Sequence, residues 1–321
     1  MLPQVVASAA LPLEVAPILG SGVGYVEPPQ GHLSRAELLA AVGGADGLIC
    51  LLTDRIDGEL LATAPRLRVV ANFAVGYDNV DVAACTARGV AVTNTPDVLT
   101  EATADFAFAL LLAAARRVAE GDALVRGGRW TGWEPGQHLG ASVSGATLGI
   151  IGLGRIGRAV ARRAAGFDMP VLALASGRNH ADDPPGVDRV SLDQLLARAD
   201  FVSLHCPLTD ETHHIIDAGA LLSMKPTAVL VNTARGPCVD EAALGAALAA
   251  GQLAGAGIDV FEHEPEVHPA LLASPRAVLA PHAGSATYTA RRRMGEICAN
   301  AVRSALAGER PPTVINPEVY G

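Results

Sequence analysis

No two of the five cysteines (Cys50, Cys85, Cys206, Cys238 and Cys298) stand in C-x-x-C spacing. An odd, scattered set suits neither a zinc ribbon nor a disulfide framework; it reads as reduced thiols, mostly buried small hydrophobes, in a cytoplasmic protein. Basic excess is missing too. Against 33 Asp and Glu stand 24 Lys and Arg, for a net charge of −9, which argues against nucleic acid or an anionic membrane as the main partner. The triplet Arg291-Arg292-Arg293 reads as a solvated helix face. No basic n-region opens the chain and Glu14 comes early, so no signal peptide is expected. The longest apolar run, Phe106 to Ala115, falls well short of the roughly 20 residues that cross a bilayer. Low-complexity segments and short repeats are also absent. What remains is a chain of 321 residues, 50% hydrophobic and 18% charged, with enough apolar material for two packed domains.

Short β-branched runs alternate with Ala/Leu/Arg-rich helical stretches, the pattern of parallel sheets covered by helices on both faces. In the first third the expected strands are 4–7, 47–52, 67–73 and 90–93, with a helix at 34–42 that Ser34 can cap. A long helix follows Thr100, with acids in its first turn and arginines in its last, as the helix dipole favours. Residues 127–145 form an irregular Gly/Trp/Pro loop. The pattern then restarts with six strands, at 147–152, 171–175, 200–205, 228–232, 255–260 and 277–280. A final helix, about 287–307, exceeds what the second unit needs and crosses back to the first. The expectation is two α/β domains, one inserted in the other: residues 1–98 with 286–321, and residues 99–285.

The strand at 147–151 runs into G-L-G-R-I-G (152–157) and then into a helical stretch. G-x-G-x-x-G alone is weak, but strand before and helix after is the context its mechanism requires. Gly152 makes the tight turn, Gly154 admits a pyrophosphate to the backbone, and Gly157 lets the helix pack on the strand. NAD sites carry an acid at the end of the next strand for the ribose 2′-OH. Here that strand ends L-A-L-A-S-G-R, and Asp168 precedes it. No carboxylate repels a 2′-phosphate, and Ser176 and Arg178 are there to bind one. NADP(H) is expected in preference to NAD(H).

Ligands bind beyond the carboxyl ends of such strands. After V-L-V-N comes T-A-R-G with Arg235, after G-I-D-V comes F-E-H-E-P with Glu264, and after V-L-A comes P-H-A-G-S with His282. A guanidinium, a carboxylate and an imidazole thus reach the pyrophosphate edge. Reduction of a 2-oxo acid needs a two-donor cation for carboxylate and carbonyl, which suits Arg235. It needs a proton donor titrating near neutrality, which suits His282. It gains from a carboxylate that favours the protonated ring and fixes its orientation, which suits Glu264. His205-Cys206-Pro207 ends a strand on the same edge, so Cys206 and Pro207 are expected to line the cofactor. His263, Glu264 and His268 lack H-E-x-x-H spacing, and no metal is expected. Glu262 and His263 read as peripheral and His213-His214 as a surface turn.

The segments N-F-A-V-G-Y-D-N-V-D (72–81), T-E-A-T-A-D (100–105), G-I-I-G-L-G-R-I-G (149–157), V-N-T-A-R-G (231–236), D-V-F-E-H-E-P (259–265) and P-H-A-G-S (281–285) resemble the D-isomer-specific 2-hydroxyacid dehydrogenases, particularly their glyoxylate/hydroxypyruvate reductase branch. The resemblance spans nearly the whole chain. It implies a flavodoxin-like substrate domain with an inserted Rossmann dinucleotide-binding domain, and Arg235, Glu264 and His282 as the catalytic trio. It implies that Val75, Gly76, Arg235, His282 and Ser285 bind substrate. Thr103 and Asp259 are implied at the nicotinamide end. Gly152, Leu153, Gly154, Arg155, Ile156 and Gly157, then Ser176, Gly177 and Arg178, then Thr233, Ala234 and Arg235, then His282 and Gly284, are implied to line the cofactor. It further implies a homodimer joined through the long helix after Thr100 and the loop beyond it.

One departure concerns the W-E-P-G-Q-H stretch. Gln137 stands where close glyoxylate reductases often carry a tryptophan that reaches the partner's active site, which bears on substrate size. The main reading is NADPH-dependent reduction of glyoxylate to glycolate and hydroxypyruvate to D-glycerate. Two others stay open: a D-2-hydroxyacid dehydrogenase for a bulkier 2-oxo acid, and a nucleotide-sensing binding protein like the family's corepressors. Glu264, where related formate dehydrogenases carry glutamine, argues against formate, and no regulatory domain is expected after Gly321.

Overall fold

The run Val69-Val70-Ala71-Asn72 is apolar on both sides until its last residue, so a strand made from it must be covered on both faces. All four residues are buried. In the computed structural model, which describes residues 2–175 and 183–321, the chain divides into two compact units, Met1–Leu99 with Ala286–Gly321, and Thr100–Ser285.

The first unit holds five strands: β1 (Gln4–Ala7), β2 (Gly24–Val26), β3 (Gly47–Cys50), β4 (Val69–Asn72) and β5 (Ala91–Thr93). They form one parallel sheet in the order β2-β1-β3-β4-β5, the flavodoxin-like winding. The helix Arg35–Ala41 starts at Ser34, whose hydroxyl and the Glu37 side chain form a reciprocal capping box. Thr287 caps the helix Tyr288–Leu306 through the Ala290 amide, 3.1 Å away. Its buried face (Ala290, Met294, Cys298, Ala301, Val302, Ala305) repeats at helical spacing and is mostly small, so the helix lies close against β3 and β4. On the open side of β5, Asn316 mimics a missing strand. Its Oδ1 accepts from the Val92 amide at 2.7 Å, and its Nδ2 donates to the Val90 carbonyl at 2.9 Å.

Among its described residues the second unit holds seven: β6 (Leu148–Ile151), β7 (Val171–Leu174), β8 (Val187–Val190), β9 (Phe201–Leu204), β10 (Val229–Asn232), β11 (Gly255–Ile258) and β12 (Ala277–Leu279). All pairs are parallel, in the order β12-β11-β10-β9-β6-β7-β8. The chain winds outward from β6 through β7 to β8, then returns to β9 on the other side, so the switch point lies between β6 and β9. The helix Thr100–Ala115 covers β10 and β11 with Ala104, Ala107, Leu110, Leu111 and Ala114 buried. It lies close because β11 reads G-A-G-I: a Cβ on Gly257 would stand 2.9 Å from Leu110 Cβ. Each leucine buried there contributes about 1.5–3 kcal/mol.

Two strands and one helix end differ from expectation. β2 is a three-residue edge strand, too short for a pattern to register. β8 reads V-D-R-V, with only Val190 fully buried, because an edge strand tolerates charge where a central one does not. The long helix stops at Ala115 instead of continuing to Val118. Arg117 turns left-handed (φ 54°), and the chain returns at Ala141, whose amide caps the Ala115 carbonyl at 2.8 Å. A second helix, Val118–Arg126, follows. The stretch 127–147 carries no regular element.

Candidate active site

Register decides which residues meet. Ile151 pairs with Leu204, Leu204 with Asn232, Asn232 with Ile258, and Ile258 with Leu279. The next residue on each strand therefore emerges at one edge: Gly152, His205, Thr233, Asp259 and Ala280. This is the carboxyl edge, with its crevice at the switch point.

The glycine turn has the geometry a dinucleotide requires. Gly152 sits at φ +99°, and a Cβ there would lie 2.4 Å from the Cys206 amide nitrogen. A Cβ on Gly157 would lie 2.1 Å from the Gly152 carbonyl oxygen, so the helix could not close on the strand. Around Gly154, by contrast, a Cβ meets nothing within 4 Å. Gly154 is also the N-cap of the helix Arg155–Ala164 and offers its first-turn amides no side-chain acceptor. The positive end of a helix whose N-cap glycine has no side chain to take its amides matches a pyrophosphate in shape and charge, so the residues present fit the cofactor. Leu153, Arg155 and Ile156 belong to this turn, while buried Cys206 and exposed Pro207 follow β9. Ser176, Gly177 and Arg178 lie outside the described residues.

Arg235 is presented by a turn that Asn232 builds. Buried Asn232 accepts the Ala234 amide at 3.0 Å and donates to the Arg235 carbonyl at 2.9 Å, folding Thr233-Ala234-Arg235 back over the end of β10. Only glycine fits next, since a Cβ on Gly236 would come within 1.9 Å of the Phe261 carbonyl carbon. The Arg235 turn and the loop carrying Glu264 are thus packed backbone on backbone.

Glu264 and His282 meet directly. His282 Nδ1 stands 2.9 Å from Glu264 Oε2 and 3.1 Å from Oε1, and Oε1 also accepts the Phe261 amide at 3.0 Å. Burial raises the Glu264 carboxyl. The hydrogen bond and charge of His282, the Phe261 amide and the Arg235 charge together outweigh it, and leave the group below the usual carboxylate range. Ionised Glu264 can only accept, so Nδ1 carries the proton in this pair and Nε2 is left to exchange one.

Asp259 holds the histidine turn. His282 has φ 51°, a conformation that costs a side-chain-bearing residue about 1–2 kcal/mol. The Asp259 carbonyl accepts the His282 amide at 2.8 Å, and its carboxylate accepts the Ala283 and Gly284 amides at 2.7 and 2.8 Å. Burial lifts the Asp259 carboxyl above the ordinary range, against the pull of those two amides and of His282. Space is tight here too: a Cβ on Gly284 would be 3.2 Å from Asp259 Oδ2 and 3.3 Å from Thr103 Cγ2. Thr103, Asp259 and Gly284 therefore form one contact cluster, and half-buried Ser285 follows it.

The other histidine on this edge has a different character. Burial pushes the His205 ring down to about 3, so it stays neutral at physiological pH; its Nε2 lies 2.8 Å from Ser203 Oγ. His205 is a wall, not a proton source. His263 is exposed. Glu262 has more to do than a peripheral residue. It pairs with His214 Nε2, and its amide donates to buried Glu241 at 2.5 Å. Sequence reasoning missed Asn232 and Glu241. The signal for Asn232 was an amide ending an otherwise apolar strand; for Glu241, a second acid directly after an N-cap aspartate.

Val75 and Gly76 belong to the other unit, just past β4. Asn72 Nδ2 donates to the Gly76 carbonyl and Asn94 Nδ2 to the Val75 carbonyl, both at 2.8 Å. With these carbonyls held, the Val75 and Gly76 amides donate to no acceptor among the described residues.

Comparison with known proteins identifies the family. The profile of the D-isomer specific 2-hydroxyacid dehydrogenase NAD binding domain matches residues 108–284. A glyoxylate reductase of Korarchaeum cryptofilum is 53% identical over 290 residues, covering 89% of this chain and 87% of that protein. A Thermus thermophilus protein of known structure superposes with a TM-score of 0.92 at 46% identity, covering 97% of this chain and 99% of that one. The NADPH-dependent glyoxylate/hydroxypyruvate reductase of Sinorhizobium meliloti, solved with NADP and malonate, gives a TM-score of 0.85 at 34% identity, covering 99% and 98%. With the glycine cradle and the acid–imidazole pair on one sheet edge, and relatives matching over nearly the full length, this chain belongs to the D-isomer specific 2-hydroxyacid dehydrogenases, a family of NAD(P)-dependent oxidoreductases.

Proposed function

We propose that the protein is an NADPH-dependent reductase of small 2-oxo acids, turning glyoxylate into glycolate and hydroxypyruvate into D-glycerate. The observation that carries this is the 2.9 Å Glu264–His282 contact, on the same edge as the Gly152–Gly157 turn. Arg235 clamps the substrate's carboxylate and carbonyl oxygens with its planar fork. The Val75 and Gly76 amides take the other carboxylate oxygen, and Ser285 adds a hydroxyl. A nicotinamide held beside Thr103 and Asp259 would supply the hydride. As C2 is reduced, charge develops on the carbonyl oxygen, and His282 Nε2 gives it a proton. Glu264 stabilises the imidazolium before transfer and keeps the ring aimed. Thr103 and Asp259 border the nicotinamide end, and Gly152 to Gly157, Cys206, Pro207, Thr233, Ala234 and Gly284 line the rest.

In this reading residues 1–98 with 286–321 bind substrate and 99–285 bind cofactor. NADPH is preferred because the sequence places Ser176-Gly177-Arg178, and no acid, where the ribose 2′ position falls. The Sinorhizobium relative's use of NADP supports the same choice. Exposed Val118, Val125, Trp130, Trp133 and Leu139 suit burial in a homodimer. Of these, Leu139 also lines a cavity of about 420 Å3, with Ala115, Arg117, Pro226 and Arg276. No helix among the described residues is long and apolar enough to cross a membrane, and five unpaired thiols suit a reducing cytoplasm.

The test is steady-state oxidation of NADPH and NADH against a panel of 2-oxo acids. Glyoxylate and hydroxypyruvate with NADPH should give the highest kcat/KM, and Arg178→Ala should raise KM for NADPH but not for NADH. A best substrate with a branched or aromatic side chain would move the reading to a bulkier 2-oxo acid. Absence of turnover, with nucleotide still bound, would favour a sensor.

A further inference from the structure

Glu241 is buried, 4% exposed, and plays no part in the chemistry derived above. A buried carboxylate is costly unless hydrogen-bonded, so what it bonds to shows its use. Its Oε1 accepts the Glu262 amide at 2.5 Å and its Oε2 accepts the His268 amide at 3.0 Å. Those amides flank the loop that carries Glu264. The plain alternative, that Glu241 caps its own helix Glu241–Ala250, fails because Asp240 already does so through the Ala243 amide at 2.8 Å.

Two further ties converge on the same loop. Glu262, whose amide Glu241 holds, pairs through its side chain with His214 Nε2. His214 in turn donates its amide to the Pro237 carbonyl at 2.8 Å, within the turn that follows Arg235. Gly236 of that turn lies directly on the Phe261 backbone. Between the Glu262 and His268 anchors the loop closes on itself, with the Glu266 amide on the His263 carbonyl at 2.8 Å. Glu264 therefore projects from a segment gripped at both ends by one carboxylate.

We propose that Glu241 is a positioning residue: by gripping the amides of Glu262 and His268 it holds Glu264 within hydrogen-bonding reach of His282, with the His214–Glu262 pair as a brace. The inference rests on the proposed role of the Glu264–His282 pair. A misplacement of about 1 Å at such a contact can cost up to about 10²-fold in rate. The helix that bears Glu241 thereby helps to orient an imidazole it does not touch.

The experiment is a double-mutant cycle of Glu241→Ala and Glu264→Gln in the full chain. It follows NADPH oxidation by glyoxylate across pH, with NADPH affinity and melting temperature measured alongside. Glu241→Ala is expected to lower kcat by about 10–10²-fold and to move the alkaline limb of the profile to lower pH, with NADPH affinity unchanged. Added to Glu264→Gln, it should cause little further loss, because its effect passes through that residue. Glu241→Gln, which keeps one of the two acceptors and the fold, should show a smaller shift in the same direction, and it serves if the alanine variant does not fold. A wild-type kcat and pH profile in a folded Glu241 variant overturns the proposal, as does an equal loss in the two Glu264 backgrounds. An unchanged profile in Glu264→Gln alone overturns instead the reading of the pair, and removes the inference with it.

Discussion

The two sheets are wound on the same principle and end differently. In Thr100–Ser285 the carboxyl ends of β6, β9, β10, β11 and β12 lead into glycines and ionisable groups: Gly152, His205, Arg235, Asp259, Glu264 and His282. In the other unit, β4 and β5 lead into amides, with Asn72, Asn79 and Asn94 bonded to backbone carbonyls at 2.8–3.1 Å. One edge carries charge that can move a proton. Past β4 and β5 the other carries amides that fix where the backbone points, and the buried acid beyond β3, Asp54, is bound to the Leu51 amide at 2.7 Å. The same parallel architecture thus hosts two chemistries, and the difference lies in a few residues past each strand end.

That contrast can be broken at its charged end first. His282→Gln should lower kcat by about 10²–10⁴-fold, since it removes the proposed general acid; turnover near wild type in a steady-state assay would show that the reacting edge lies elsewhere. Arg235→Lys comes next. A point charge replaces a fork and forfeits one charge-assisted hydrogen bond worth about 1.5–3 kcal/mol. The KM for glyoxylate should then rise by about 10–10²-fold with a smaller change in kcat. At the amide edge, Asn94→Ala frees only the Val75 carbonyl, a neutral bond worth about 0.5–1.5 kcal/mol. It should raise the substrate KM by a factor of about 2–10 and leave the KM for NADPH alone. A parallel rise in both would place that loop outside the substrate site.

A fourth, smaller effect is on stability against pH. The Glu264 carboxyl is held below its ordinary range in the fold. Its contribution is therefore complete above the unfolded carboxylate pKa and is lost as pH falls through the lower, folded value. Melting temperature followed from neutral pH downward should fall more steeply for wild type than for Glu264→Gln in that acid window. Curves that stay parallel would mean the pair adds nothing to stability.

Central strands were legible because burial on both faces leaves a continuous apolar run, as in Val229–Asn232. β2 and β8 were not, since neither has a continuous buried run: Val26 is exposed in β2 and Asp188 in β8, whereas the edge strand β5 is buried throughout. The helix after Thr100 was legible in its composition but not in its end, because the Ala115 carbonyl is capped by the amide of Ala141, far along the chain, and no local motif announces a distant amide. Glu264 and His282 were legible as charges that interrupt apolar strand exits. Glu241 was not: an acid in the first turn of a helix looks like any helix-dipole partner, and its amide partners lie 21 and 27 residues away.

Local order determined the elements themselves: where strands run, where Gly152 to Gly157 must turn, and which ionisable residues follow which strand, because backbone sterics and apolar periodicity act over a few neighbours. Tertiary structure alone decided which of those residues touch. The pairing of β6, β9, β10, β11 and β12 in register sets the Glu264–His282 contact, singles out Asp259 as the support of a left-handed histidine and aims Glu241 at a loop. Contacts of a few ångströms between residues far apart in the chain depend on how sheets and helices pack, and packing is a property of the whole fold.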